Sequence, residues 1–205
     1  MKKKEELLSQ VNRVISTCQK CRLWRTATNA VAGEGSSEAK VMFIGEAPGF
    51  HEDKSGRPFV GRAGGLLDNL LAKNGLVRED VFITNVVKHR PPDNRAPMKD
   101  ESRACLPYLM QQIKVVNPEV IVPLGRAALE VFIKDKTITE FHGKAFKVGN
   151  RIVFPVYHPA AALRSSGVLR DLEQDFAMLR KVIAGDVTPE EVEIENGNQN
   201  QLKLI

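Results

Sequence analysis

Cysteine is scarce in this chain, three in 205 residues. Three cannot all pair, so a disulfide-stapled secreted scaffold is excluded, and the "CQKC" at residues 18–21 points to metal or redox chemistry in a reducing compartment. Long apolar runs are lacking too. Nothing approaches the roughly 20 consecutive apolar residues that a membrane span needs. The N-terminal "MKKKEELLSQ" is charged and has no signal-peptide apolar core. The expectation is a cytoplasmic protein with no membrane partner. No internal repeat is visible.

What is present is enough for one substantial core, with 42% hydrophobic residues. A single domain over residues 1–185, monomeric, is expected. The net charge of +5 is unevenly spread: residues 186–205 hold five acids and one base, so the remainder carries 29 basic and 20 acidic residues, an excess of +9. Such a body is compatible with a polyanionic partner. The acidic tail, 186–205, lacks helical periodicity and is expected to be disordered. Its "QNQLKLI" ending is a weak candidate docking peptide, with a sliding clamp as the partner considered.

Periodicity places the elements. Leu7, Leu8, Val11, Val14 and Ile15 recur at helical spacing over 5–16. "KVMFIGEAPG" is a short buried strand running into a Gly and Pro turn, and "GRAGGLLDNLLAKNG" a helix stopped by Asn74-Gly75. "DVFITNVVK", helix 99–116, strand "PEVIVPLG" and helix "RAALEVFI" follow. "KAFKVGNRIVFPVYHP" reads as two strands about a Gly-Asn turn, and 168–184 as a closing helix. Strands alternating with helices predict an α/β three-layer sandwich, a mostly parallel central four-stranded sheet flanked by helices. Ligands of such sheets bind beyond the strands' carboxyl ends, which gathers "GEAPG", "NVVKHRPP", "LGRAA" and "YHPAAALR".

Read alone, His158 is a buried histidine or a donor, Asn85 a turn cap or a ligand contact, and Phe59 a core ring. Taken in order, "CQKC", "GEAPGFHEDKSGRPFVGRAG", "ITNVVKHRPPDNRAP", "CLPYLMQQI" and "YHPAAALR" are specific. With them the chain resembles the family 4 uracil-DNA glycosylases, the iron-sulfur branch of their superfamily, from "CQKC" to about residue 180. The resemblance implies hydrolysis of the N-glycosidic bond of deoxyuridine in single- or double-stranded DNA, leaving an abasic site. It implies His158 as hydrogen-bond donor to uracil O2, Asn85 as reader of the base's Watson-Crick edge, and Phe59 as the ring beneath it. Gly45, Glu46, Ala47 and Glu52 complete the uracil site. Better-known uracil glycosylases carry a water-activating aspartate where this chain has Ala47, so Glu46 or Glu52 is the expected positioner of water. Leu163 or Arg164 is the candidate wedge into the DNA stack, and Lys88, Arg90 and Arg95 the candidate phosphate contacts.

The resemblance also bears on His89, sixteen positions before Cys105. Relatives use four cysteines as cluster ligands; here Cys18, Cys21, His89 and Cys105 occupy those places. A 4Fe-4S cluster held by three thiolates and His89 is expected, with a Cys₃His zinc site as the lesser alternative. Rival functions are an iron-sulfur nucleic-acid binder or redox sensor on the same scaffold, a glycosylase of wider base range, and one that traps its product covalently. The last is disfavoured because the chain lacks the basic, histidine-containing insertion of the trapping branch.

Overall fold

The computed structural model describes residues 2–192. In chain order the elements are α1 (Lys2–Ser16), β1 (Glu34–Gly35), β2 (Val41–Gly45), α2 (Phe50–Ser55), α3 (Arg62–Lys73), β3 (Phe82–Asn85), α4 (Lys99–Val116), β4 (Val120–Pro123), α5 (Arg126–Phe132), α6 (Ile138–Phe141), β5 (Phe146–Val148), β6 (Arg151–Val153), α7 (Pro159–Ala162), α8 (Ser166–Ala184) and β7 (Glu190–Glu191). Short 3₁₀ turns join several of them.

The strands lie in the order β1-β3-β2-β4-β6-β5-β7. The inner four, β3, β2, β4 and β6, are mutually parallel, the arrangement expected from the alternation of strands and helices. Three short strands extend this sheet: β1 antiparallel to β3, β5 antiparallel to β6 across the Gly149-Asn150 turn, and β7 parallel to β5. Every residue of β2, β3 and β4 is buried, as a parallel strand covered on both faces requires. Alternation then sorts side chains to two layers. Met42, Ile44 and Ile121 pack with α1, α4 and α5, while Val41, Phe43 and Val122 pack with α3 and α8. Phe43 stacks on Phe176 of α8 at 5.9 Å between ring centroids.

The tail departs from expectation at its start. Glu190 donates its N–H to the Ala145 carbonyl at 2.8 Å, Lys147 pairs with Glu191 at 3.0 Å, and Val192 packs on the core. Ladder bonds and an ion pair thus tie residues 190–192 to the sheet. The rest of the acidic segment, with its docking ending, lies outside the described residues. Among the described residues no helix is long and apolar enough to cross a membrane.

Candidate active site

The register pairs Gly45 with Asn85 at the carboxyl ends of β2 and β3, and a bridge joins Leu124 to Val156 two strands away. The loops leaving these ends enclose a cavity of about 390 Å³. Glu46, Ala47 and Glu52 line it from the first loop, Asn85 from the second, His158 and Arg164 from the last, with Phe59 forming part of its wall. Pro91, Asn94, Arg95 and Ala96 close it from the "RPPDNRAP" loop, a contribution the sequence offered only as a DNA-facing surface. "LGRAA" stands behind rather than inside: a Cβ on Gly125 would lie 3.0 Å from His158 Cβ.

His158 caps the N-terminus of α7. Its Nδ1 accepts the Ala160 N–H at 3.1 Å, so the proton of the neutral ring sits on Nε2. Burial pushes its pKa from 6.5 down to about 4, against the attraction of Glu52 and with the repulsion of Arg164. At neutral pH the group is therefore an uncharged imidazole in one tautomer, its Nε2–H unengaged among the described residues.

Asn85 is 1% exposed, and its Oδ1 has no hydrogen-bond partner among the described residues. An orphaned buried acceptor costs about 1–3 kcal/mol, which a ligand N–H removes. Phe59 lies beside both groups, its ring centroid 5.7 Å from that of His158 and the planes 32° apart. Its φ of 51° is left-handed, a conformation a bulky side chain adopts only at a cost of roughly 1–3 kcal/mol. Neighbours hold it there. Arg78 donates to the Pro58 carbonyl at 2.7 Å, Glu52 Oε1 accepts from Val60 and Gly61 N–H at 2.9 and 2.8 Å, and a Cβ on Gly64 would collide with the Phe59 carbonyl.

Gly45 is another position in this site where only glycine fits. A Cβ there would collide with Asn85 Oδ1 and lie 2.7 Å from Phe59 Cζ. Gly45→Ala is expected to displace both side chains, costing about 1–3 kcal/mol of stability and more than roughly tenfold in activity. Thermal melting alongside an activity assay checks this; full activity with an unchanged melting curve would contradict the geometry.

The two candidate carboxylates differ. Glu52 is tethered to the backbone that carries Phe59, whereas Glu46, half-buried, has no hydrogen bond within the described chain, and burial raises its pKa. Asp53, the third acid of the loop, is buried and accepts from Thr28 and Asn29 N–H at 2.8 and 3.2 Å, tying α2 to the N-terminal segment.

The expected phosphate contacts divide as well. Lys88 is 1% exposed and cannot reach a phosphate. Its ammonium donates to Thr84 Oγ1, Gln112 Oε1 and the Asn85 carbonyl at 2.6, 2.7 and 2.7 Å, satisfying all three donors and bracing the strand end that carries Asn85. Burial brings its pKa down to about 7. Arg95 is also committed inward, donating to both oxygens of the buried Glu101 at 2.8 and 2.7 Å and so clamping the loop to α4. Its hydrogen bonds hold Glu101 below the usual carboxylate range. Arg90 and Arg164 remain partly or wholly exposed, as does Leu163 at 41%.

A second, smaller cavity is lined by different residues. Cys18, Cys21, His89 and Cys105 all line it, brought together from the loop after α1, the loop after β3 and the middle of α4. Tyr108 donates to Cys18 Sγ at 3.2 Å. Burial pushes the Cys105 thiol up to about 11, raises Cys21 as well, and lowers His89. A neutral imidazole is a ready ligand, whereas thiolates here need a bound cation to offset their desolvation. Among the described residues no three His, Cys, Asp or Glu side chains converge tightly enough to hold a single metal ion.

The family model for the Uracil DNA glycosylase superfamily matches residues 32–182, which contain the whole of the larger cavity. A type-4 uracil-DNA glycosylase of Sulfurisphaera tokodaii is 46% identical over 198 residues, 92% of this chain and 89% of the relative. One of Thermotoga maritima is 44% identical over 187 residues, 87% and 97% of the two chains. A type-5 uracil-DNA glycosylase of Thermus thermophilus stands further off, 33% identical over 178 residues, 76% and 80%. With the larger cavity at the strand ends and a match over most of its length, the chain belongs to the uracil DNA glycosylase superfamily, among relatives of type 4.

Proposed function

We propose that this protein excises uracil from DNA by hydrolysing the N-glycosidic bond, leaving an abasic site and an unbroken strand. The observation that carries the reading is the buried amide oxygen of Asn85, unpartnered among the described residues and set in one cavity with Phe59 and a neutral His158. Uracil turned out of the helix lies against Phe59. Its N3–H donates to Asn85 Oδ1, its O4 accepts from the amide nitrogen, and its O2 accepts from His158 Nε2–H. As the bond to the sugar breaks, negative charge collects on the base, and a donor fixed beside O2 stabilises that charge more than the ground state. Glu46 positions water for the sugar carbon, while Glu52 holds the Phe59 loop.

Leu163 wedges into the space the uridine leaves, and Arg90 and Arg164 meet phosphates. Covalent trapping finds no support around His89, which faces the cysteine cavity rather than the larger one. The test is incubation with a labelled duplex carrying one U:G pair, with and without alkali. Breaks only after alkali are expected; breaks without it, or no released uracil, would sink the reading.

Cys18, Cys21, His89 and Cys105 share one cavity, and three thiolates with a neutral imidazole are a donor set suited to a 4Fe-4S cluster, the reading preferred here over a single zinc. Such a group, when bound, links α1 to the "RPPDNRAP" loop, and the hydrolysis needs no electrons from it. Anaerobically purified protein is expected to show a broad band at roughly 400 nm with matching iron and sulfide. His89→Cys should keep that band and His89→Ala weaken it. Zinc in place of iron, or spectra indifferent to His89, would refute the ligand set.

A further inference from the structure

An exposed phenylalanine stands at the mouth of the uracil cavity and takes no part in the reaction just described. Phe50 opens α2 between Gly49 and Glu52, both of which line the cavity, and it is 47% exposed. Burying such a ring is favourable, and the fold forgoes much of that gain. The ring's surroundings are cationic. Lys54 Nζ and the Arg90 guanidinium carbon each sit over the ring, 5.1 Å from its centroid, on side chains long enough to swing aside for a base, and His51 meets it edge-on at 5.5 Å. Neither cation forms an ion pair among the described residues; Arg90 is steadied by Asn94 Oδ1 at 2.7 Å, and Asn94 itself lines the cavity. An exposed ring carrying two uncompensated positive charges thus borders the mouth, whose lining also includes Arg164, just past the end of α7.

We propose that Phe50, Lys54 and Arg90 form a stacking platform for the unpaired base next to the extruded uridine, the two cations taking its phosphate. The proposal rests on the reading of this chain as an enzyme acting on uracil in DNA. Every base offers a π-face, so stacking on a ring flanked by cations holds a strand without regard to sequence. In an intact duplex the neighbouring base is already paired and stacked, and the ring has little to add. In a single strand that base is unsupported. The platform therefore strengthens binding of uracil in single-stranded or locally melted DNA. A protein ligand for an exposed phenylalanine would not need phosphate-binding charges beside it.

A cycle between the ring and the base tests the idea. Single-stranded oligonucleotides with one deoxyuridine carry either natural neighbours or a tetrahydrofuran abasic residue on one side or the other. The unsubstituted protein, Phe50→Ala and Phe50→Trp are compared on each. Uracil release is followed on these strands, and equilibrium binding by anisotropy on counterparts bearing a hydrolysis-resistant 2′-fluorinated deoxyuridine. Phe50→Ala is expected to raise KM and Kd for the naturally flanked strand by roughly five- to a hundredfold, leaving kcat within about twofold. Phe50→Trp should restore binding, and the alanine effect should vanish where the contacted neighbour is abasic. An alanine effect absent on all strands, or equal on all of them, overturns the platform. Should the unsubstituted protein bind with this coupling yet release no uracil, the glycosylase reading fails and the platform stands; release without coupling sinks the platform alone.

Discussion

His158→Ala is expected to release uracil roughly 10²- to 10³-fold more slowly than the unsubstituted protein, with DNA affinity little changed. The asymmetry follows from when the interaction matters. In the proposed reading the Nε2–H meets a neutral carbonyl in the bound substrate and an anionic oxygen as the base departs, so its removal is felt in kcat rather than in binding. The ring's surroundings add a pH signature. The Ala160 N–H already occupies Nδ1, and a second proton there would meet a donor head-on. With the folded pKa at about 4, below the ordinary 6.5, the ring stays neutral as pH falls from 8 to 5, and this group should not limit activity in that window. For stability the sign is fixed by the same shift. Between 6.5 and 4 the unfolded chain binds a proton that the native one refuses, so His158's contribution is full above about 6.5 and is lost as pH falls toward about 4. Single-turnover release between pH 4 and 8, run on both proteins, checks each part. A full-rate alanine variant, or a histidine-dependent fall in rate centred near 6.5, would contradict the assignment.

Much of this site was readable before the structure because its parts follow strands directly. "VMFIG", "VFIT" and "VIVP" are unbroken apolar runs, and a parallel sheet delivers whatever follows them to one edge. Glu46, Asn85 and His158 were brought together by that rule alone. What escaped depended on partners remote in sequence. Lys88 reads as surface charge in "VVKHR", and only the acceptor on Gln112, 24 positions away, together with Thr84 and the Asn85 carbonyl, explains its burial. Arg95 likewise looked free until Glu101 turned it inward. The contrast between Glu46 and Glu52 rests on two backbone N–H groups eight and nine residues beyond Glu52, which no composition or period reports. Strands of two residues, such as Glu34–Gly35 and Glu190–Glu191, carry no periodicity to detect. The left-handed backbone of Phe59 has no local signature either, since glycine is the usual occupant of that conformation.

Asn85 carries the second large effect, on which base is accepted. Its buried amide presents an acceptor and a donor in fixed order, matching N3–H and O4 of uracil; cytosine offers the reverse at both positions. A site built this way can reject the wrong ligand by roughly 10⁴ because mispairing leaves buried polar groups unsatisfied. The strand end that carries Asn85 is held from behind. Lys88 fastens the Asn85 carbonyl at 2.7 Å, and the bare Cα of Gly45 leaves room for Oδ1. Asn85→Ala should therefore lower kcat/KM for uracil by roughly 10²-fold or more without unfolding the protein, since it also removes an unpartnered buried oxygen. Asn85→Asp goes further. Its carboxylate still accepts from N3–H but repels O4, so uracil release should fall by a comparable factor. The same group accepts from the amino group of cytosine and, when protonated, donates to cytosine N3. Measuring free base from matched oligonucleotides carrying one deoxyuridine or one deoxycytidine should show the ratio of the two rates shrinking in Asn85→Asp alone. If the alanine variant kept the original rate, or the aspartate variant kept the original ratio, discrimination would have to reside elsewhere in the cavity, with the steric wall of Phe59 and Glu52 the next place to look.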